Sequence, residues 1–466
     1  MRMTPETLLA RHAAALDRRR PWESVWQDCR DHVLARTPGQ GGPALFDGTA
    51  ADAAEELAAS LLSELTPPWS RWFGLQPTRE AADVPGLPDL LENASEALAG
   101  HLERAGFPLA MHQAFLDLVV CGTGVLLVEE ARPGDASALR IAAVPLAEAV
   151  LEDSGSGRLD TVFRSARLTP SAILQRFPKA PVAVSDGDQT RLPLLEAVWP
   201  DGRGGYSFAA VLSPPNTPPV LLAEGRFAES PFIAFRWLVA PGEDYGRGPV
   251  MKALPDIRTA NKVVELILKN ASIAATGIWQ ADDDGVLNPA TVELVPGAII
   301  PKAPGSAGLT PLAAPGNFDV SNLVLDDLRS RIRSALLADR LNPKPGRDRT
   351  ATEVLERSAE TARILGACYG RLQSELLSPL VSRALGVLRR RGEVPPILLD
   401  GREVRLAYRS PLARLQARAD AANTALFLQQ AAALGAEGMA QIDIAAAARF
   451  LASTLDVPAS ILTAKE

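Results

Sequence analysis

The stretch Pro231-Phe-Ile-Ala-Phe-Arg-Trp237, with the turn Glu243-Asp-Tyr-Gly-Arg-Gly-Pro249 that follows it, decides the fold of this chain. The first part is rich in aromatic and β-branched residues and has few polar groups, which predicts a largely buried strand. The glycines around the turn allow conformations that residues with a Cβ reach only at a cost. The final proline suits the first turn of a helix, because its missing N–H would have no partner there. The stretch therefore predicts a strand, a turn and a helix in direct succession.

Two long helical segments follow, separated by a segment of different character. Apolar residues recur at helical spacing from about 250 to 275, and Pro255 is expected to kink or restart this helix. About 25 residues at 1.5 Å each span roughly 38 Å. Residues 276–317 instead carry prolines, consecutive aspartates and short β-like runs, and helical periodicity returns from Val320 to Leu336. The pattern predicts two helices that bracket a small β-rich insertion.

This order resembles the wing-to-stem junction of phage portal proteins, the head-to-tail connectors. In the short-tailed phage branch of that family, a strand ending in Arg-Trp precedes a Tyr-Gly-Arg turn and a stem helix, and this chain has all three parts. The segments Pro68-Trp-Ser-Arg-Trp-Phe73 and Ser410-Pro-Leu-Ala-Arg-Leu-Gln416 resemble further motifs of the same family. The resemblance covers nearly the whole chain. It implies an α+β portal fold with an α/β wing, long stem helices, a small β-rich clip and a helical crown, assembled as a ring.

The resemblance also implies a division of the chain into consecutive parts. These are residues 1–247 as the N-terminal part of the wing, 248–275 as the first stem helix, 276–317 as the clip, 318–341 as the second stem helix, 342–349 as the tunnel loop, 350–410 as a long kinked helix and wing return, and 411–466 as the crown.

The tunnel loop is basic. Lys344, Arg347 and Arg349 stand against one acidic residue, Asp348, and Thr350 begins a helix with capping-box spacing. These residues alone favour an ordinary solvated surface loop. In portal proteins, however, the corresponding loop projects into the central channel, and in a ring of about twelve subunits it would form a collar of roughly +24 facing DNA phosphates. The resemblance therefore favours a DNA-facing loop.

Composition limits the other functions that are open to the chain. It has 466 residues and a formal net charge of −7, which disfavours a broad nucleic-acid-gripping surface but allows DNA to slide past. No apolar stretch is long and uninterrupted enough to predict a membrane span, and no signal peptide is evident, so synthesis in the host cytoplasm is expected. Three widely spaced cysteines predict small buried hydrophobes rather than a disulfide framework or zinc site.

Signals of catalysis are weak. The chain has no phosphate-binding loop and no nucleophile elbow, and its four histidines lack metal-ligand spacing. Asp282-Asp-Asp284 could bind a divalent cation, although a solvated turn is the simpler interpretation. We therefore expect a structural protein without cofactors. A metal-dependent hydrolase that uses Asp282–Asp284 and a helical adaptor that forms no ring remain the alternatives.

The resemblance implies a set of partners and a location. The protein would bind copies of itself in a ring, most simply a dodecamer, and would contact double-stranded DNA without sequence preference. It would also meet a terminase motor, a tail adaptor protein, and capsid and scaffold proteins. The expected location is the portal vertex of the virion, with no membrane partner.

Secondary structure elsewhere follows from periodicity and turn residues. Helices are predicted over about 4–36, 49–65 and 90–118, the last with a break at Pro108, and residues 199–230 are predicted as hairpin loops. Pro379 is expected to kink the helix that contains it. Arg389-Arg-Arg391 ends a helix and is interpreted as a cap or a subunit contact, with DNA or scaffold contact as the less favoured interpretation.

Overall fold

The computed structural model combines helices with antiparallel sheets, in agreement with the predicted α+β class. It describes residues 3–34, 42–78, 81, 84–155, 157–182, 189–215, 217–276, 279–281, 304–305, 309–311, 318–338, 366, 368–397, 404–409, 411–435, 440 and 442–454. Within these ranges the helices are α1 (Pro5–Val33), α2 (Thr49–Leu65), α3 (Leu87–Arg104), α4 (Phe107–Cys121), α5 (Pro170–Arg176), α6 (Pro249–Thr276), α7 (Phe318–Ala335), the π-helix (Gln373–Leu377), α8 (Ser378–Arg390), α9 (Pro411–Ala433) and α10 (Ile444–Thr454). The strands are β1 (Phe73–Pro77), β2 (Thr123–Glu130), β3 (Leu139–Ala143), β4 (Ala149–Asp153), β5 (Leu159–Leu168), β6 (Leu192–Pro200), β7 (Tyr206–Leu212), β8 (Val220–Phe227), β9 (Phe232–Arg236), β10 (Trp279–Ala281), β11 (Leu309–Pro311) and β12 (Val404–Tyr408).

The predicted Arg-Trp strand is β9, and it lies at the edge of a three-stranded sheet of order β3-β2-β9. It pairs antiparallel with β2, so that Thr123 lies opposite Arg236 and Leu127 opposite Phe232. All five β9 residues are buried, as the lack of polar groups in this stretch predicted. Helix α4 leads directly into β2 through Gly122 and packs against it.

A five-stranded antiparallel meander, β4-β5-β6-β7-β8, forms a second layer. Its last two strands correct the prediction that residues 199–230 are hairpin loops. The prolines and glycines that favoured loops are concentrated in the connections, while Tyr206–Leu212 and Val220–Phe227 pair as strands. Helix α1 packs on this sheet through Leu8 and Ala15, which share a core with Phe163 of β5.

Further helix predictions need correction. The segment predicted over 90–118 is two helices, and the break falls at Gly106, whose φ of 67° is left-handed, whereas Pro108 sits in the first turn of α4. Pro255 lies inside one continuous α6 and does not restart it. In the first turn of α4, Pro108 lacks only an N–H that would have had little use there. Pro379 instead directly follows the π-helix, in a helix that is already formed at residues 368–372, so it lies where the regular helical hydrogen bonding is interrupted, as a proline inside a helix is expected to do.

Some sequence predictions agree with the described residues, and others fall outside them. The three cysteines are buried and free, and burial raises the pKa of Cys29 and of Cys368 to about 12. Helix α2 has the predicted bounds. The tunnel loop, Asp282–Asp284 and most of the predicted clip lie outside the described ranges.

The helices and side-chain clusters can be surveyed only within those ranges. None of the described helices combines the length and apolar character that crossing a lipid bilayer requires. In the same residues, no group of three or more His, Cys, Asp or Glu side chains is placed to hold a metal ion.

Candidate functional site

The site that the sequence singled out is the joint between the three-stranded sheet and α6, which we call the junction. It comprises the end of β9, the turn 243–248, the start of α6 and the part of the π-helix that faces them. Its central residue is Arg236, which ends β9 and is only 3% exposed. Because a buried guanidinium is costly without partners, the groups around Arg236 determine whether the junction holds together.

Glu375 of the π-helix supplies the charge that Arg236 needs. Arg236 Nη2 donates to Glu375 Oε1 at 2.7 Å, and Arg236 Nε donates to Oε2 at 3.3 Å. The backbone N–H of Arg236 also donates to Oε2, at 3.0 Å. The fork-to-fork pair therefore fixes both the side chain and the backbone at the end of β9 to the π-helix.

Three backbone carbonyls satisfy the remaining donors of Arg236. Nη1 donates to the carbonyls of Glu243 and Asp244 at 3.4 and 3.3 Å, and Nη2 donates to Gly157 at 3.2 Å. Two of these carbonyls belong to the turn that precedes α6, and the third lies between β4 and β5. One side chain thus joins both sheets, the turn and the π-helix.

Glycines allow the turn to pack directly on the end of α4. A Cβ on Gly246 would lie 2.1 Å from the carbonyl oxygen of Gly122, and a Cβ on Gly248 would lie 2.6 Å from that of Val119. The Trp237 N–H donates to the Gly122 carbonyl at 3.0 Å, and the Gly246 N–H donates to Thr123 Oγ1 at 2.9 Å. No side chain larger than hydrogen fits at these contacts, which is the physical reason for the Tyr-Gly-Arg-Gly pattern.

Tyr245 anchors the same turn to α1 and to the five-stranded sheet. Its ring packs against Trp22 and Trp26, with centroids 6.1 and 5.0 Å away. Its hydroxyl accepts a hydrogen bond from the Leu151 N–H of β4 at 3.0 Å. Burial raises the Tyr245 pKa to about 12, so the hydroxyl stays neutral and serves as a structural partner.

Helix α6 leaves the junction paired with α7. Asp256, near the start of α6, bonds Arg331, near the end of α7, at 2.8 Å, so the two helices run antiparallel. Asn261 of α6 holds the segment before α2, because its amide donates to the Ala44 carbonyl and its oxygen accepts the Phe46 N–H.

Asp47, in that same segment, ties it to α7 through Arg329 at 2.8 Å. Burial acts to raise the pKa of Asp47, but hydrogen bonds from Thr49 and the nearby Arg329 outweigh it and lower the pKa. The carboxylate is therefore ionised and paired at neutral pH. The start of α2 is thus fixed to both α6 and α7.

The structure describes only some of the predicted site residues. Arg236, Tyr245 and the turn glycines come together as one buried unit. Lys344, Arg347 and Arg349 lie outside the described residues, and α7 ends at Ala335, shortly before them. Glu375 was missed, because nothing in its helical neighbourhood distinguishes it from a surface glutamate.

Arg389 and Arg390 contact acidic groups of the same chain, Arg389 with Glu229 and Arg390 with Glu229 and Glu130. Arg391 reaches the Ala131 carbonyl at 3.3 Å. The triplet ends α8, with Arg391 at its C-cap position, as the sequence predicted, and its side chains contact other elements of the same chain.

Among the described residues of the junction, the ionisable groups have structural roles. Its charged residues are paired, its tyrosine is neutral and buried, and its cysteine neighbour Cys368 carries a raised pKa. The junction is thus a buried and extensively hydrogen-bonded joint between the sheets and α6.

The comparisons with known proteins agree with this structural character. The family model for the bacteriophage head to tail connecting protein matches residues 5–462. The probable portal protein of Bordetella phage BPP-1 is 24% identical, over 90% of this chain and 80% of the relative. The portal protein of Salmonella phage epsilon15 is 24% identical, over 94% of this chain and 85% of the relative. The portal protein of Escherichia phage T7 is 22% identical, over 81% of this chain and 74% of the relative. With a family match along nearly its entire length, this chain belongs to the bacteriophage head-to-tail connecting proteins, the portal proteins.

Proposed function

We propose that this portal protein assembles into a closed ring, most simply of about twelve subunits, and that double-stranded DNA passes through its centre during packaging and ejection. The observation that carries the proposal is the junction, where Arg236 and Glu375 hold the turn before α6 to the sheets, and α7 is paired with α6 through Arg331 and Asp256. A subunit that lines a channel needs its helices held at a fixed angle, and this joint supplies such an angle.

In this proposal each part of the chain has its place in the ring. Residues 1–247 form the N-terminal part of the wing, 248–275 and 318–341 the stem helices, and 276–317 the clip, followed by the tunnel loop 342–349, the wing return 350–410 and the crown 411–466. Helix α6 has 28 residues, so at 1.5 Å per residue it extends about 42 Å. This length spans a little more than one helical turn of DNA, which is about 34 Å.

The tunnel loop provides the DNA contact. Lys344, Arg347 and Arg349 directly follow the second stem helix, so in a ring they would face the channel together. Basic side chains bind backbone phosphates without reading sequence, which suits a protein that must let any sequence slide past. The clip would bind the terminase motor and the tail adaptor protein, and the wing and crown would contact capsid and scaffold proteins. The ring would stand at the portal vertex of the capsid.

The experiment replaces Lys344, Arg347 and Arg349 together with alanine and measures packaged DNA per particle. We expect intact rings and reduced packaging or retention of DNA, because the loop would lose its attraction for phosphate. A matched control replaces Arg140, Arg167 and Lys179, three exposed cations of the sheet region, and should package normally. Normal packaging by the loop variant, or an equal defect in the control, would contradict the role given to the loop.

A further inference from the structure

A groove beside the start of α4, the opposite end of that helix from the junction, has the chemistry of a binding surface. It lies between the turn that follows α2 and the outer face of α3, and it is closed at one end by the start of α4. Its volume is about 670 Å³. We call it the acidic groove, and its principal residues are Thr66, Trp69, Glu92, Glu96, Gly100 and Glu103.

One wall of the acidic groove is a stripe of carboxylates. Glu92, Glu96 and Glu103 recur at helical spacing on α3 and are all exposed. Glu92 is already paired with Arg71 across the groove. Glu96 and Glu103 have no ion pair among the described residues. Two carboxylates without an ion-pair partner among the described residues therefore line the same cavity.

The other wall is apolar. Trp69 is 73% exposed, although Trp72, three residues further on, is only 4% exposed and belongs to the core. Between the walls, the small residues Ala99 and Gly100 of α3 line the floor, with the Arg104 guanidinium against one side of Gly100. An exposed tryptophan beside a floor of small residues leaves room for a large side chain, and such sites recur as energetic centres of protein interfaces.

A buried polar atom in the lining also lacks a partner. Thr66 is 1% exposed, and its Oγ1 has no hydrogen-bond partner among the described residues. Buried hydroxyls without a partner are rare in folded proteins because each costs free energy. A bound group with a hydrogen-bond donor would satisfy it.

We propose that the acidic groove binds an extended segment of another protein of the phage particle, in which a lysine or arginine stands next to a large apolar side chain. The cation would pair with Glu96 and Glu103, and the apolar side chain would pack between Trp69 and the Gly100 floor. The lining selects this chemistry, because the carboxylates of Glu96 and Glu103 favour a cation and the exposed Trp69 favours an apolar neighbour. This binding role goes beyond the proposed channel and does not require it.

The test measures binding of a short fluorescein-labelled peptide, with Lys-Leu-Lys-Trp in a Ser/Gly background, to the full-length protein by fluorescence anisotropy at physiological salt. For the double variant Glu96→Gln/Glu103→Gln we expect affinity to fall about fivefold, the loss of one or two partly exposed charge pairs. For Trp69→Ala we expect affinity to fall about tenfold, as for an aromatic hot-spot residue of an interface. A peptide with glutamate in place of lysine should not bind.

Two controls separate groove binding from general electrostatics and from misfolding. The variant Glu55→Gln/Asp420→Asn removes two other exposed carboxylates and should bind as tightly as the wild type. Thermal unfolding should be unchanged in every glutamine variant, because the replaced groups are on the surface.

Equal weakening in the control variant would overturn the proposal, and so would a wild-type protein that binds neither peptide. A photo-crosslinker in the peptide should label residues 66–73 or 92–103. Crosslinks elsewhere, or a groove covered by a neighbouring copy in the assembled protein, would also overturn it.

Discussion

Replacing Glu375 by alanine is the sharpest test of the junction. The change removes three hydrogen bonds from Arg236, one of them from its backbone N–H. It leaves a guanidinium that is 3% exposed with only the neutral carbonyls of Gly157, Glu243 and Asp244 as partners. A buried charge would thus lose its counter-charge while its desolvation cost remained.

The expected loss of stability follows from the burial of Arg236 and Glu375. Breaking a buried ion pair by removing one side costs about 3–5 kcal/mol. The carbonyls remain and Glu375 is 11% exposed, so we expect the lower end, about 3 kcal/mol. The double variant Arg236→Met/Glu375→Leu leaves no unpaired buried charge and should lower the free energy of unfolding by only about 1 kcal/mol.

The assay is hydrogen exchange at the amides of β9, where Arg236 and its neighbours report local opening. A loss of about 3 kcal/mol predicts exchange about a hundredfold faster in Glu375→Ala. The matched control is Glu243→Ala, which breaks the exposed pair with Arg247 in the same turn and should cost less than about 1 kcal/mol. The reasoning is refuted if the two variants exchange alike, or if the double variant costs as much as the sum of its single changes.

Three further predictions test the packing around the junction and the paired helices. Gly246→Ala should lower the free energy of unfolding in denaturant by about 2 kcal/mol, because the added Cβ would overlap backbone atoms. The control Gly225→Ala places its Cβ in open space and should leave that free energy unchanged, so equal effects would contradict the steric argument. Asn261→Ala should lower the free energy of unfolding by about 2 kcal/mol in the same assay, because it leaves backbone groups of the segment before α2 without a hydrogen-bond partner. An unchanged denaturation midpoint would contradict this. Asp47 has a lowered folded pKa, so its stabilisation is present above its unfolded pKa of about 3.9 and is lost as the pH falls through the folded value. Asp47→Asn should therefore lower the melting temperature at pH 7 but converge with the wild type in acid, and parallel pH profiles would exclude this role.

The sequence predicted the junction because its signals are local. Glycines that allow close backbone contact, an apolar strand and a proline at a helix start all act over a few residues, and β9, the turn and α6 lie where these signals placed them. Composition likewise predicted the buried cysteines. The helix-period stripe predicted α7, although the described helix ends at Ala335, within the predicted range.

Features that depend on long-range contacts could not be predicted in the same way. The partner of Arg236 is 139 residues away, and no local pattern marks Glu375 as buried. Strands β7 and β8 were hidden because prolines and glycines in their connections dominated the composition of that region. The break between α3 and α4 was misplaced because a proline is tolerated in the first turn of a helix, whereas Gly106 adopts the left-handed conformation that ends one.

The measurement that tests the central claim most directly is the size and shape of the purified full-length protein, by native mass spectrometry and negative-stain microscopy. The account predicts a closed ring with a central hole, and about twelve subunits of 49.5 kDa would have a mass on the order of 600 kDa. A protein that stays monomeric even with its scaffold and capsid proteins, or that forms only open filaments, would contradict it.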